Sequence, residues 1–258
     1  MTDGSANYWD DRVDSHGHTG WSSPLIFGYD QALRLAAIRD AVTRIAPNAG
    51  RIVDYGCGTG DFTRMLAEIA DEVVGFDISS RALARARDET RVTNVLYTER
   101  STELFCVPAD IILSVTVLQH IVDDAVLREV LRTFSDGVTD GGFIVLLESF
   151  ADNDREYGYI RLRTLNNFLR MCADAGFLVV EDWPWANPEV NPTDGYRRAC
   201  KHPYTRLLAK GEGHGVPTAR WLLRNWLNRY ARKDSGIVAE PSLTRLIVLR
   251  RIAASPSL

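Results

Sequence analysis

Short, nearly unbroken apolar runs alternate along this chain with longer segments whose apolar residues recur at three- and four-residue spacing. A continuous apolar run marks a buried strand, and a period near 3.6 marks a helix. The β-branched run Arg51-Ile52-Val53 ends at Asp54, and Phe62, Met65 and Leu66 open a helical pattern reaching Ala70. Val73-Val74-Gly75-Phe76 leads to Asp77, and Ser79 is placed to cap a helix to about Arg91. Val95–Thr98 and Asp110–Val115 read as a third and a fourth strand. Val126, Leu127, Val130, Leu131 and Phe134 share one helical face, and Gly141-Gly142 turns into a fifth strand, Phe143–Glu148. A helix over about Leu162–Ala175 stops at Gly176, and Phe177–Val180 is a sixth strand. A last strand, Leu243–Arg250, follows only after about sixty residues, far longer than a loop. Before the first strand, Leu33, Leu35, Ala36, Ile38, Val42 and Ile45 predict a helix that starts at Tyr29 or Asp30 and ends near Pro47. Regular β-α alternation with apolar strands predicts an α/β fold, a mostly parallel sheet with helices on both faces.

Chemistry gathers where the first strand ends, in Asp54-Tyr55-Gly56-Cys57-Gly58-Thr59-Gly60. Three glycines in five residues permit positive φ and let a ligand approach the backbone. A dinucleotide fingerprint from Gly56 needs a third glycine at position 61, where Asp61 stands, so an oxidoreductase is a distant reading. The acid at Asp54 suits a cationic ligand. Asp77, 23 residues on, is placed to accept from ribose hydroxyls.

The pattern D-x-G-x-G-x-G, with a second acid ending the next strand, resembles the class I S-adenosylmethionine-dependent methyltransferases. The resemblance covers roughly residues 29–182 and the last strand. It implies a Rossmann-like seven-stranded sheet whose last strand inserts antiparallel beside the fifth. It also implies S-adenosylmethionine as cofactor and S-adenosylhomocysteine as product. Asp54, Gly56, Cys57, Gly58, Gly60, Asp77, Ile78, Ser101, Thr102, Ser114 and Val115 fall at its cofactor positions. An acid usual after the third strand is replaced by Ser101-Thr102, with Glu99 and Glu103 nearby. After the fourth strand, Ser114-Val115-Thr116-Val117-Leu118-Gln119-His120 is similar to a family motif ending in a histidine near the methyl acceptor. His120 is therefore the candidate general base or acceptor-orienting group, against a purely structural role. The Asn/Asp-Pro-Pro-aromatic run of many nucleic-acid base methyltransferases is absent from this position.

The resemblance divides the chain into an N-terminal lid (1–28), a cofactor-binding core (29–183), an inserted substrate-recognition region (184–241) and the last strand with its tail (242–258). Trp9, Arg12, His18, Trp21, Tyr29 and Glu148 are lid or substrate candidates. The tryptophans also fit simple anchors, and Glu148 fits a solvated strand end. His16 and His18 lack a third ligand at suitable spacing, so no metal is expected.

Of the 258 residues 45% are apolar and 25% charged, ordinary globular values, and the net charge of −4 gives no general attraction to nucleic acid. Cysteines 57, 106, 172 and 200 have no paired spacing and read as reduced thiols. With a polar N-terminus and no apolar run of membrane length, a cytoplasmic protein is expected. The charge is uneven. Tyr196 to Lys233 holds ten basic residues and a single acid, Glu212, around the helical run Trp221, Leu222, Leu223, Trp226, Leu227 and Tyr230. That favours an anionic partner, a solvated basic face, a membrane surface or a second subunit. The leading expectation is methyl transfer to O or N of a small, anionic or sugar-like metabolite, with no DNA, no membrane span and a possible homodimer. An RNA or protein methyltransferase and a non-catalytic cofactor-binding partner protein remain the alternatives.

Overall fold

The computed structural model describes residues 3–213, 217–239 and 241–252; the side chains of Glu212 and Arg220 lie outside the described residues. In chain order the elements are α1 (Asp3–His16), α2 (Pro24–Ile45), β1 (Arg51–Tyr55), α3 (Asp61–Leu66), β2 (Glu72–Phe76), α4 (Ser80–Glu89), β3 (Val95–Thr98), β4 (Ala109–Val115), α5 (Asp124–Gly137), β5 (Val138–Ser149), β6 (Arg155–Tyr157), β7 (Ile160–Leu162), α6 (Leu165–Asp174), β8 (Phe177–Pro184), α7 (Asp194–Lys201), α8 (Pro203–Gly213), α9 (Pro217–Ala231) and β9 (Thr244–Arg251). Single 3₁₀ turns cover Ser101–Glu103 and Leu118–His120.

Seven strands form one sheet in the order β3-β2-β1-β4-β5-β9-β8. The pairs β1–β2, β1–β4, β2–β3 and β4–β5 are parallel. β9 runs antiparallel to β5, with Phe143 opposite Arg250 and Ser149 opposite Thr244. This is the Rossmann-like arrangement expected, with the last strand where the resemblance puts it. Strand order reverses between β1 and β4, and a ligand crevice opens at such a reversal, beyond the carboxyl ends of the strands. β1 and β2 are buried from their second residues onward, and β4 is almost wholly buried. One core cluster joins Val53, Ile112, Ile144 and Ile247 of the sheet to Leu127, Leu131 and Phe134 of α5 and Phe168 of α6. Ser79, Asp123 and Thr164 cap α4, α5 and α6 through side-chain oxygens.

Contacts divide the chain into two units, one of Met1–Thr19, Ala41–Trp183 and Leu243–Leu258 and the other of Gly20–Asp40 and Pro184–Ser242. The seam on the N-terminal side thus falls at Thr19 and again within α2. In the first unit several segments differ from the sequence expectation: β5 already begins at Val138 and β8 runs on to Pro184. The leader, without apolar period, is helical from Asp3, and its Asp10 accepts from Ser79 Oγ at the start of α4. α3 stops at Leu66 with Ala67 as C-cap. Residues expected to lead directly into a helix form the hairpin β6–β7, which turns at Gly158 with φ 59°.

The second unit has its own core. Trp185 is fully buried, and Gly236 (φ 70°) lies against its ring, where a Cβ would overlap it. Tyr29 donates from its hydroxyl to Asp234 Oδ2 at 2.7 Å, and Trp226 Nε1 donates to Thr205 Oγ1 at 2.8 Å. Three helices, α7 to α9, fill the stretch where one was expected. Among the described residues no helix is long and apolar enough to cross a membrane.

Candidate functional site

The glycine turn after β1 sits between two buried acids. Asp54, 2% exposed, accepts from Thr63 Oγ1 of α3 at 2.5 Å. Asp77, 8% exposed, accepts from Gly58 N at 2.8 Å through Oδ2 and from Ser79 N at 2.9 Å through Oδ1. Burial, with a smaller push from Asp77, raises the Asp54 carboxyl to about 7. Burial also raises Asp77, against the backbone N–H groups of Ser79 and Gly58. The Cys57 thiol between them is pushed well above its usual range by burial and then by both acids, so it is a neutral packing group. Two carboxylates that disfavour each other's charge are relieved by a cation.

Gly56, Gly58 and Gly60 have φ of 82°, 53° and 78°. Gly56 and Cys57 donate to Phe76 O at 2.7 and 2.8 Å, which ties the turn to the end of β2. A Cβ on Gly56 would overlap Val117 of the loop after β4, and one on Gly58 would stand 2.6 Å from Thr19 Oγ1 of the N-terminal segment. Ser114, paired with Tyr55 across β1 and β4, has a fully buried hydroxyl without a hydrogen-bond partner. Val115 closes β4 beside it, and Ile78 is half-buried against the core below. Ser101 and Thr102 form an exposed 3₁₀ turn, while Glu103 accepts from Thr98 Oγ1 at 2.8 Å and from Arg100 at 2.9 Å.

The loop after β4 is strained and tightly held. Thr116 is the one non-glycine with positive φ (55°) among the described residues. Its N–H donates to Leu147 O at 2.7 Å. Glu148, 2% exposed, accepts from Val117 N and Leu118 N at 2.9 Å each and from Gln119 N at 3.3 Å. The expectation that its carboxylate meets an acceptor amine or hydroxyl is therefore corrected: it is directed at the backbone of the 3₁₀ turn that carries His120.

His120 is enclosed by rings. Trp9 stands edge-on at 4.8 Å between centroids, and Tyr159 stacks at 5.5 Å. Tyr8 packs on Tyr159 at 4.2 Å. His120 Nδ1 lies 3.2 Å from the Tyr159 carbonyl, which only accepts, so Nδ1 carries the proton and Nε2 is the acceptor. Burial, and then the charge of Arg12, lower its pKa to about 4, against the Tyr159 hydrogen bond. Trp9 of α1 thus packs on His120, and the charge of Arg12, one turn further along α1, reaches it. His18 stacks on His16 at 6.3 Å between centroids. Two other lid candidates belong to the second unit: Trp21 Nε1 donates to Asp30 Oδ2 at 2.7 Å, and Tyr29 is a buried core residue beside Tyr196. They are anchors there because each aromatic body is packed and each polar tip is hydrogen-bonded.

Sequence reasoning missed Tyr8, Tyr159, Thr19 and Asp10. Tyr157-Gly158-Tyr159, a glycine between aromatics before the alternating Ile160-Arg161-Leu162, is the signal that would have marked the hairpin carrying Tyr159. The contact of Asp10 with Ser79 and with Arg81 N at 3.2 Å has no local sequence signal.

A glycine-rich turn at the reversal of a Rossmann-like sheet, flanked by two buried acids, defines a nucleoside-cofactor domain of the methyltransferase kind. The model of the methyltransferase domain family matches residues 29–182. The chain belongs to that family, among the class I S-adenosylmethionine-dependent methyltransferases. It is 26% identical over 162 residues to an indolepyruvate C-methyltransferase of Streptomyces griseus, covering 54% of this chain and 49% of that one. It is 29% identical over 111 residues to a ubiquinone biosynthesis O-methyltransferase of Albidiferax ferrireducens, covering 40% and 43%. The chain spans about half the length of the curated relatives it matches. Among solved structures, an S-adenosylmethionine-dependent methyltransferase of Mesorhizobium loti shares the fold with a TM-score of 0.51 and 23% identity, over 85% of this chain and 100% of that one.

The high Asp54 pKa has a consequence for stability. A carboxyl raised in the folded state stabilises the fold fully below its unfolded value near 3.8, and that contribution is lost as pH rises through about 7. Between pH 5.5 and 8 the loss is about 2 kcal/mol, or roughly 4–8 °C in melting temperature. Asp54→Asn should flatten that slope in ligand-free protein, by scanning fluorimetry across the pH range. An unchanged slope would remove Asp54 as its source.

Proposed function

We propose that this protein is an S-adenosylmethionine-dependent methyltransferase for a small, anionic acceptor. The observation that carries the reading is the pair of buried acids around the glycine turn, with Trp9 and Arg12 of α1 and Tyr159 of the β6–β7 hairpin gathered around His120 on the loop after β4. The residues fit the cofactor: the unpartnered Ser114 hydroxyl and the two buried acids flanking the glycine turn suit a polar, cationic ligand beside the backbone. Asp54 would hold the cationic amino acid end, and Asp77 the ribose hydroxyls. Gly56, Gly58 and Gly60 would admit it, and Ser101-Thr102 would edge the adenine. The bound cofactor supplies an electrophilic methyl group on a sulfonium.

The chain then has to align the acceptor. Trp9 and Tyr159 give flat apolar walls, and α1 excludes water from above, latched by Asp10 on α4. His120 Nε2 accepts a hydrogen bond from a donor group of the acceptor molecule other than its reacting atom and fixes its orientation. With a pKa of about 4 it is a poor sink for an alcohol's proton. The acceptor therefore reaches the site already ionised, as an enolate, phenolate or carboxylate. Arg12 stabilises that negative charge. Two curated relatives carry the names indolepyruvate C-methyltransferase and ubiquinone biosynthesis O-methyltransferase, which supports a small-molecule acceptor in general.

The test is transfer of labelled methyl from S-adenosylmethionine into an extract of the source organism, split into small-molecule, lipid, RNA and protein fractions. Label in the small-molecule fraction, in an acidic product, supports the reading. Label in RNA or protein overturns it. His120→Ala should lower turnover at least about tenfold and leave S-adenosylhomocysteine affinity unchanged. Because His120 is already neutral, the wild-type rate should show no inflection near pH 6.5; an inflection lost in the variant would make it a titrating base instead.

A further inference from the structure

The second unit carries a charge opposite to the rest of the molecule. Its segments hold twelve basic and seven acidic residues, whereas the first unit holds eighteen and twenty-seven. The excess sits on α7 to α9 and the turn after α9, where Arg197, Arg198, Lys201, Arg206, Lys210, Arg229, Arg232 and Lys233 are exposed. Arg206, Lys210, Arg232 and Lys233 enter no ion pair among the described residues.

Large apolar side chains stand among these cations. Trp221 is 66% exposed and Leu207 65%, and Tyr204 and Leu222 are each 38% exposed. The periodicity explains why. Ala219, Leu223, Leu227 and Ala231 recur every fourth residue and form the buried face of α9. Trp221, Asn225 and Arg229 fall opposite that face, and Arg232 follows in the turn after the helix. On α8, Thr205 and Leu208 are buried, and Leu207 and Lys210 are turned away from them. The other tryptophan of α9, Trp226, hydrogen-bonds Thr205 and packs against His202, Tyr204 and Tyr230, so it serves the helix pair itself. Trp221 has no such task within the fold.

We propose that α8 and α9 dock on an anionic lipid surface, with Trp221 and Leu207 entering the headgroup–acyl boundary and Arg206, Lys210, Arg229 and Arg232 meeting lipid phosphates. Charge and apolar area together distinguish this occupant. A single hydrophobic anchor gives only marginal membrane binding, and a basic patch beside it supplies the second attraction. Exposed leucines offer a nucleic acid little, and a second copy would bring the same cations against each other. The protein then works at the membrane face, on small acceptors delivered there.

Full-length protein is mixed with vesicles of equal parts phosphatidylcholine and phosphatidylglycerol, and with vesicles of phosphatidylcholine alone, and sedimented. Binding to the anionic vesicles only, weakened by salt, is expected. Trp221→Glu with Leu207→Glu should reduce it by roughly tenfold or more, as should Arg206→Glu with Lys210→Glu. All four positions are exposed, so melting temperature and S-adenosylhomocysteine affinity should stay at wild-type values. No sedimentation with anionic vesicles overturns the proposal. So does equal binding to the neutral ones, or loss of self-association in the Trp221→Glu variant without any vesicle binding in the wild type. RNA binding that survives both double variants while vesicle binding is absent overturns it in favour of a nucleic-acid partner. None of these results bears on methyl transfer, which the labelling experiment reads separately.

Discussion

Gly56→Val should abolish measurable S-adenosylhomocysteine binding and lower the melting temperature by roughly 6–12 °C. Two causes act at this position. The backbone φ of 82° is one that L-residues adopt at a cost of about 1–2 kcal/mol, more for a β-branched side chain. In addition, a Cβ there overlaps the side chain of Val117. Relieving the overlap means moving a loop that Glu148 and Leu147 hold through four hydrogen bonds. Together the penalty is about 3 kcal/mol, and each kcal/mol is worth roughly 2–4 °C in a protein of this size. The two causes separate in a second variant. Gly56→Ala with Val117→Ala removes most of the overlap and keeps the backbone strain, so it should recover about half of the stability. Scanning calorimetry and titration calorimetry read the two quantities. If the double variant were no more stable than Gly56→Ala alone, contact with Val117 would not be what demands glycine here.

The same residue shows what sequence could and could not reveal. The turn was legible because its demands are local: glycine where φ is positive, an acid at the end of each of two strands, a helix after each. The sheet was legible because apolar runs and helical periods alternate regularly. The identity of the residue pressing on Gly56 was not, since Val117 lies on a different strand's loop and looks like any apolar residue in sequence. Tyr159 was hidden for a related reason. It comes from a two-stranded hairpin of six paired residues, too short for a period to register. α1 lacks an apolar face of its own and is held by contacts such as Asp10 with Ser79 and Arg81 with Asp14 at 3.2 Å, so periodicity alone could not find it. Glu148 was read from topology as facing the cleft. It is at the right strand end, but the strained loop after β4 folds back over it and presents three N–H groups. A backbone trace in the αL region at Thr116 is required for that return, and threonine gives no warning of it.

Glu148→Ala should be the most damaging substitution that touches no ligand. It leaves the N–H groups of Val117, Leu118 and Gln119 without their acceptor, at a site where Leu118 is 1% exposed. Each buried donor without a partner costs about 1–3 kcal/mol, and water entering the vacated space recovers part of that. A net loss of about 3 kcal/mol is expected. Glu148→Gln discriminates the cause. Its amide oxygen can serve the two donors that now share Oε1, but its NH₂ group would face the Gln119 N–H, so its stability should fall between wild type and alanine. The loop also carries His120, and Gln119 Oε1 returns a hydrogen bond from Ser149 N at 3.2 Å, so loop and strand end are stitched in both directions. Loosening that stitch should lower kcat several-fold for both variants, with S-adenosylhomocysteine affinity within about twofold of wild type, because Asp54, Asp77 and the glycine turn are held independently by β1, β2 and α3. Equal stability of the glutamine and alanine variants would mean that the carboxylate's role is steric. A parallel collapse of cofactor affinity would mean that the loop after β4 and the glycine turn move as one body, coupled through Val117 on Gly56.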